Sequence, residues 1–367
     1  RHARGVLRPR RVRRVRALPE AAARLEYQPY GVVAVIGPWN YPVLTPLASI
    51  AYALAAGNAV VFKPSEYTPA VGQWLADTFA EVVPEQPVFT TVHGDGSVGA
   101  ALCAAGVGKV SFTGSTATAR RVMAACAQTL TPVVLEAGGN DAFIVDADAD
   151  VAAAAETCVW GAFTNAGQTC VGIERAYVVA DVYDDFLFHM VERTGTLTVG
   201  PDEDADLGPI TVATQLDVIR RHIEDALSRG ARAVVGGPEA VRPPYVHPTV
   251  LVDVPPDALA AREETFGPVL TVTRVADVEE ALRLANDTPY GLGGAVYGRR
   301  RALATARRLR SGMTAVNDAL SFAGMSSLPW GGVGRSGVGR VRGEDGLREF
   351  AQAKSIVVKQ ARSLLPS

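Results

Sequence analysis

Gly31-Val-Val-Ala-Val-Ile-Gly-Pro-Trp-Asn-Tyr-Pro42, then VLTPLASIAYALAAG (43–57), then NAVVFK (58–63), is the stretch whose reading decides the fold. Its first run is apolar and rich in Val and Ile, without the polar alternation of a half-exposed strand, so it reads as a strand buried on both faces. The middle run has helical length and composition and stops at Gly57, and the last run returns to β-branched residues. Strand, helix, strand with this two-sided burial predicts a parallel sheet flanked by helices, hence an α/β fold. Outward from there, Thr68 reads as an N-cap with Pro69 in the first turn of a helix. PVFTTV (87–92), KVSF (109–112) and VVLE (133–136) read as further strands. A second alternating series begins at FIVD (143–146), passes through AYVV (176–179) and VLTVTRV (269–275), and ends in a glycine-rich stretch at 329–340. The boundary between the lobes falls at the Gly138-Gly139 pair, giving segments 1–30, 31–138, 139–345 and 346–367. SIVVK (355–359) reads as a strand with no obvious partner nearby, able to pair with another chain as an edge.

The 367 residues carry 48% hydrophobic content and a formal net charge of −2, enough apolar material for large cores and no global attraction for nucleic acid or anionic lipid. No apolar stretch approaches the roughly 20 residues of a membrane span. The basic run RHARGVLRPRRVRRVR (1–16) reads as a solvated face, because a targeting peptide also wants Ser and a clear amphipathic pattern. Cys103, Cys126, Cys158 and Cys170 have no CxxC pairing or metal spacing, and the scattered His2, His93, His189, His222 and His247 form no HExxH. The expectations are a reducing, cytoplasmic setting, no metal, and a small-molecule partner.

Gly94-Asp-Gly96-Ser-Val-Gly99 fits GxGxxG, but no acidic residue lies between Gly99 and Glu136 to meet a ribose, so it reads as a glycine-rich turn. Asp146-Ala-Asp148-Ala-Asp150 begins like a calcium loop but has Val151 where the turn glycine belongs, and helix capping by Asp148 or Asp150 is the better reading. Phe163-Thr-Asn165-Ala-Gly167-Gln168-Thr-Cys170 places a cysteine behind a polar loop. A lone cysteine is more often a small buried hydrophobe, so its context decides. Glu136, at a strand end before Ala137-Gly138-Gly139, stands where α/β proteins hold reactive groups, with a surface turn Glu as the plain alternative. Asn40, in the turn after the first strand, could donate its amide to a developing oxyanion, with an ordinary turn Asn as its alternative.

Taken in order, Pro38-Trp39-Asn40, Lys63-Pro-Ser-Glu66, Phe112-Thr-Gly114-Ser115-Thr116, Leu135-Glu136-Ala-Gly-Gly, Gly167-Gln168-Thr-Cys170, Glu264-Thr-Phe266-Gly-Pro268 and the glycines from Pro329 to Arg340 resemble the aldehyde dehydrogenase superfamily, from about residue 25 to residue 360. The resemblance implies a Rossmann-type NAD(P)-binding domain at 31–138 that is incomplete at its N-terminus, a catalytic domain at 139–345, and an oligomerisation strand after 346. Residues 1–30 are expected to hold a further oligomerisation strand. Cys170 would attack an aldehyde, Asn40 and the backbone N–H of Cys170 would hold the oxyanion, and Glu136 would activate the water that hydrolyses the thioester. Trp39, Lys63, Glu66, Gly114, Ser115, Glu264 and Phe266 would bind the cofactor, NAD being favoured and NADP possible, because Glu66 would repel a 2′-phosphate.

Ala137, Ala119 and Trp330 depart from the family's usual Leu, Gly and Phe. A homodimer or homotetramer is expected. Tyr41, Trp160, Phe163 and Phe322 are candidates for an apolar substrate tunnel, with no cationic residue clearly placed for a carboxylated aldehyde. Two rivals stand beside this reading: a coenzyme-A-acylating relative, which usually lacks the glutamate, and a truncated, catalytically silent chain acting as a subunit or interaction partner.

Overall fold

A computed structural model describes residues 2–13 and 21–359. The end of the basic run and the tail after Lys359, both named above, lie partly outside the described residues.

The first sheet has the strand order Gly337–Val338, Val133–Glu136, Lys109–Thr113, Val32–Ile36, Ala59–Lys63 and Phe89–Thr91. All neighbours are parallel except the first pair. Its edge strand Gly337–Val338 comes from the segment read as the second lobe and pairs with Leu135 and Glu136. The earliest strand, Val32–Ile36, lies centrally between Ala59–Lys63 and Lys109–Thr113, so the chain winds outward both ways from it. Connections at the carboxyl ends of these strands then diverge and leave a crevice, the place where open α/β sheets bind ligands.

The second sheet runs Arg232–Val235, Thr249–Val252, Val269–Val275, Ile173–Val179, Asp141–Val145, Gly294–Tyr297 and Ala315–Val316, parallel apart from its first pair. Asp141–Val145 and Ile173–Val179 are buried at every residue, and their later parts, 142–145 and 176–179, accordingly read as apolar runs. One apolar cluster joins Val33 and Phe62 of the first sheet to Phe143, Phe163 and Phe186 around the second.

Three local expectations need correction. SIVVK belongs to a longer strand, Ala351–Lys359, that pairs antiparallel over its whole length with Ala21–Pro29 of the same chain. Ala21–Pro29 (AAARLEYQP) lies in the segment expected to hold a further strand, but it lacks the β-branched residues that would mark its ends. Thr68 precedes the helix Pro69–Val82 but makes no side-chain cap, and its hydroxyl is buried without a partner. The GxGxxG segment is a helix start: Asp95 caps Gly96–Ala104 by accepting from the Ser97 N–H. Asp150 caps Val151–Phe163 as expected, while Asp148 accepts from the N–H groups of Arg299 and Arg300.

Candidate active site

The crevice gathers the chemistry-bearing residues of both lobes. Trp39 and Asn40 follow Val32–Ile36, Lys63 ends Ala59–Lys63, Gly114 and Ser115 follow Lys109–Thr113, and Glu136 ends Val133–Glu136. Each therefore leaves the carboxyl end of a parallel strand.

Glu136 is buried, and both of its oxygens are engaged. Oε2 accepts from the Thr113 hydroxyl at 3.2 Å, while Oε1 accepts from the Trp330 indole N–H and faces the Cys170 sulfur at 3.8 Å. Burial raises its pKa above the ordinary carboxylate value, against the pull of the Trp330 and Thr113 hydrogen bonds and the Arg342 charge. A base so raised accepts a proton more readily than a solvated Glu does.

Cys170 is held by an irregular loop. Asn165, Ala166 and Gly167 all have positive φ. A side chain on Gly167 would also strike the Gly267 backbone at 2.2 Å, so only glycine fits there. The buried Gln168 side chain fastens this loop: its amide donates to the carbonyls of Asn165 and Pro209, and its oxygen accepts from the Thr211 N–H. From the first lobe, Asn40 Nδ2 donates to the Gln168 carbonyl at 2.9 Å and Tyr41 meets the Thr169 hydroxyl at 2.8 Å. These contacts fasten Asn40 and Tyr41 to the segment that leads into Cys170, and the Asn40 amide has a second hydrogen to give.

Desolvation pushes the Cys170 pKa well above that of a free thiol, with further upward pressure from Glu136, Glu264 and Asp141. The thiol is therefore protonated at neutral pH and needs a base. The surrounding carboxyls are neutral-leaning as well. Burial lifts Asp141 to about 7 and Glu174 to about 8. Burial, with Glu174 beside it, also lifts Glu264 well above its usual value. Glu264 accepts from the Gly139 N–H, and its carboxylate lies where a side chain on Gly138 would sit, 2.0 Å from the built Cβ. Glu174 accepts from the N–H groups of Thr265 and Phe266, fixing the turn that carries Glu264 and Phe266.

On the cofactor side, the Gly114 N–H is tied to the Glu136 carbonyl, and Ser115 caps the helix Thr116–Ala127. The remaining N–H groups of that first turn are suited to an anion. Lys63 is buried with its ammonium on the Pro64 carbonyl and 3.4 Å from the half-exposed Glu66 carboxylate, a donor and an acceptor matched to hydroxyls. The rings of Trp39 and Phe266 meet edge to face at 5.5 Å, one from each lobe. Helix terminus, paired Lys and Glu, and flanking rings together fit a dinucleotide.

On the opposite side of Cys170 lies a cavity of about 630 Å³, with Glu136 and Cys170 in its wall. Tyr41, Leu44, Leu47, Ala51 and Trp160 supply apolar lining. Phe163 and Phe322 are not among the lining residues: Phe163 is core, and Phe322 packs against Trp330. Arg342 also lines the cavity, with its guanidinium on the Ala323 carbonyl and over the Trp330 ring.

Sequence reasoning missed Arg342, Trp330 as a partner of Glu136, and the buried Asp141 and Glu174. Glu174 and Arg175 left a signal, two charges opening a strand that is otherwise apolar.

Fold and site define a two-lobed α/β protein with a cysteine–carboxylate centre between a dinucleotide-type crevice and an apolar cavity. The chain belongs to the aldehyde dehydrogenase family of oxidoreductases, whose profile matches residues 4–356. It is 43% identical to 4,4'-diapolycopene aldehyde oxidase of Methylomonas sp over 348 residues, which span 94% of this chain and 65% of that protein. An NADP dependent enzyme of E. coli superposes with a TM-score of 0.93 at 34% identity, covering 98% of this chain and 75% of that one. Betaine aldehyde dehydrogenase of Staphylococcus aureus, solved with NAD+, gives 0.92 at 31% identity, covering 99% of this chain and 74% of that one. Among the described residues no helix is long and apolar enough to cross a membrane, and no cluster of potential ligands could hold a metal ion.

Proposed function

We propose that this chain oxidises an aldehyde to a carboxylic acid with NAD(P)+, through a thioester on Cys170. The observation that carries the reading is the Cys170 sulfur facing Glu136 Oε1 at 3.8 Å in the wall of the apolar cavity, with Asn40 alongside.

Glu136 takes the thiol proton, and the sulfur attacks the carbonyl carbon to give a thiohemiacetal. The free hydrogen of Asn40 Nδ2 and the Cys170 N–H receive the oxyanion. A bound nicotinamide supplies the two-electron acceptor for the hydrogen on that carbon. Lys63, Glu66, Gly114, Ser115, Trp39, Glu264 and Phe266 are the residues that would hold it. Glu136 then gives the thiol proton up to solvent and takes a proton from water as the water oxygen attacks the thioester carbon; the C–S bond breaks, Glu136 returns that proton to the sulfur, and the acid formed releases its own to solvent.

The exposed carboxylate of Glu66 favours NAD+ over NADP+ through repulsion of a 2′-phosphate, which Lys63 partly offsets. The apolar lining favours uncharged aliphatic or aromatic aldehydes, since Arg342 is stacked on Trp330 and occupied by the Ala323 carbonyl. The edge strand Ala351–Lys359, with Val357 and Val358 exposed, is the surface for a homodimer or homotetramer.

The test is formation of reduced nicotinamide by purified protein with NAD+ or NADP+ and a panel of aliphatic, aromatic and carboxylated aldehydes. Turnover fastest with NAD+ and apolar aldehydes is the expected result. A folded protein that binds neither nicotinamide nor aldehyde and turns nothing over would overturn the reading in favour of a silent subunit.

A further inference from the structure

The glycine-rich stretch near the C-terminus places a tryptophan where it touches the reacting machinery. Trp330 is buried, and its indole N–H donates to Glu136 Oε1, the same oxygen that faces the Cys170 sulfur. The indole is itself tightly located. Its backbone exchanges hydrogen bonds with Val341 at 2.7 and 2.8 Å, which places the next residue, Arg342, with its guanidinium 4.8 Å from the indole ring centre. The Phe322 ring packs 5.9 Å away, and Arg342 is anchored by the Ala323 carbonyl. Chain segments at 320–323, 330 and 341–342 thus converge on one N–H bond aimed at one carboxylate oxygen.

We propose that Trp330 is a positioning residue for the base: its indole N–H, held beneath the Arg342 guanidinium, pins Glu136 Oε1 on the sulfur-facing side of the cavity and favours the ionised carboxylate. The inference rests on Glu136 acting as the base. A cation over the indole face polarises the ring and strengthens the N–H as a donor, so Arg342 reaches Glu136 both through space and through Trp330. Phenylalanine, the residue named above as usual for the family at this position, keeps a smaller aromatic wall against the cavity and has no N–H to give. The charged and titratable groups facing Glu136 are Arg342 and Cys170, with Glu264 and Asp141 beyond the sulfur.

Burial pushes the Glu136 carboxyl up, and the Trp330 hydrogen bond is the largest influence bringing it back down. Removing that bond raises the pH at which the base loses its proton. In Trp330→Phe the acid limb of kcat moves upward by about one pH unit, the shift that accompanies loss of a hydrogen bond to a charged group. The amplitude of the first-turnover burst of reduced nicotinamide persists, and KM for apolar aldehydes changes by less than about twofold, because the wall is kept. Arg342→Met shifts the limb the same way by a smaller amount.

An acid limb unmoved in folded Trp330→Phe, with wild type active and Glu136→Gln arrested after its burst, would overturn the positioning role and leave the base assignment standing. A rise in KM at an unmoved limb would likewise reduce Trp330 to cavity wall. Indole ¹⁵N–¹H resonances of the wild-type protein read the bond without turnover. One of the signals from the four tryptophans is expected to lie downfield, to titrate with the carboxyl and to move upfield in Glu136→Gln. Four signals unaffected by Glu136→Gln would overturn the proposal even for a protein that shows no activity.

Discussion

Glu136 and Cys170 lie 3.8 Å apart, and they are held in opposite ways. The carboxylate ends a regular strand with registered neighbours on both sides, Thr113 in one strand and Gly337 in the other. The thiol follows a kinked 3-10 turn, Thr164–Gly167, in which three consecutive residues have positive φ, and Cys170 belongs to no strand, so its position depends on side-chain hydrogen bonds, above all those of the buried Gln168. Sheet register tolerates the loss of any one side chain. A loop without ladder bonds does not, so the nucleophile's placement is the more fragile half of the site.

Substitutions can separate the two halves. Cys170→Ala is expected to abolish oxidation, a loss on the order of 10⁴-fold or more, whatever the state of Glu136. Retained turnover in a nicotinamide assay would end the comparison by removing one of its members. Glu136→Gln is expected to lower steady-state turnover on the order of 10²- to 10⁴-fold while a burst of reduced nicotinamide remains but forms more slowly, because the thiol proton must then leave to solvent. Unchanged steady-state rates would assign deacylation to another base.

Gln168→Ala tests the fragile half directly. Loss of its bonds to Asn165, Pro209 and Thr211 lets the loop drift, and kcat is expected to fall on the order of 10²-fold. The accompanying loss of stability should be only about 1–3 kcal/mol by denaturant unfolding. A large stability loss with normal activity in the remaining folded fraction would show that Gln168 serves the core and not the thiol.

The smallest effect concerns the carboxyls behind the thiol. Asp141 and Glu174 have folded pKa values raised to about 7 and about 8, above the 3.8 and 4.5 of the unfolded chain. Their neutral forms are favoured by folding, so the stability they contribute is complete below those unfolded values. It is lost as pH rises through the folded ones. His222 works the other way, its pKa lowered to about 4 from 6.5 by burial, so its contribution is lost as pH falls through about 4. Unfolding midpoints should therefore decline from pH 6.5 to about 8, and Glu174→Gln should flatten that decline. An identical slope in both proteins would place the titrating groups elsewhere.

The same division explains what the sequence could convey. Strands buried on both faces write themselves as apolar runs, and Val32–Ile36, Ala59–Lys63 and Val133–Glu136 were found within a residue of their ends. Residues at strand ends inherit that clarity, so Glu136 and Asn40 could be placed. Ala21–Pro29 was expected only as a strand somewhere in the first thirty residues and could not be bounded, because a half-buried ribbon stabilised by its pairing with Ala351–Lys359 needs no apolar period. The bond from Trp330 to Glu136 spans 194 positions and that from Thr265 to Glu174 spans 91, and no local pattern encodes either. Local sequence points to Glu136, Asn40 and Cys170 and not to the groups that hold them.

Where the Glu264 carboxyl rests is decided by Gly138. Its missing side chain leaves room for the Glu264 carboxylate to lie against the first lobe's backbone. An added carbon would be met by the end of the Glu264 side chain and not by backbone, so that side chain would turn aside and give up its bond from the Gly139 N–H. The glycine thus acts as the seat of a carboxylate, and a residue larger than glycine at 138 would be felt at position 264 before anywhere else in the crevice.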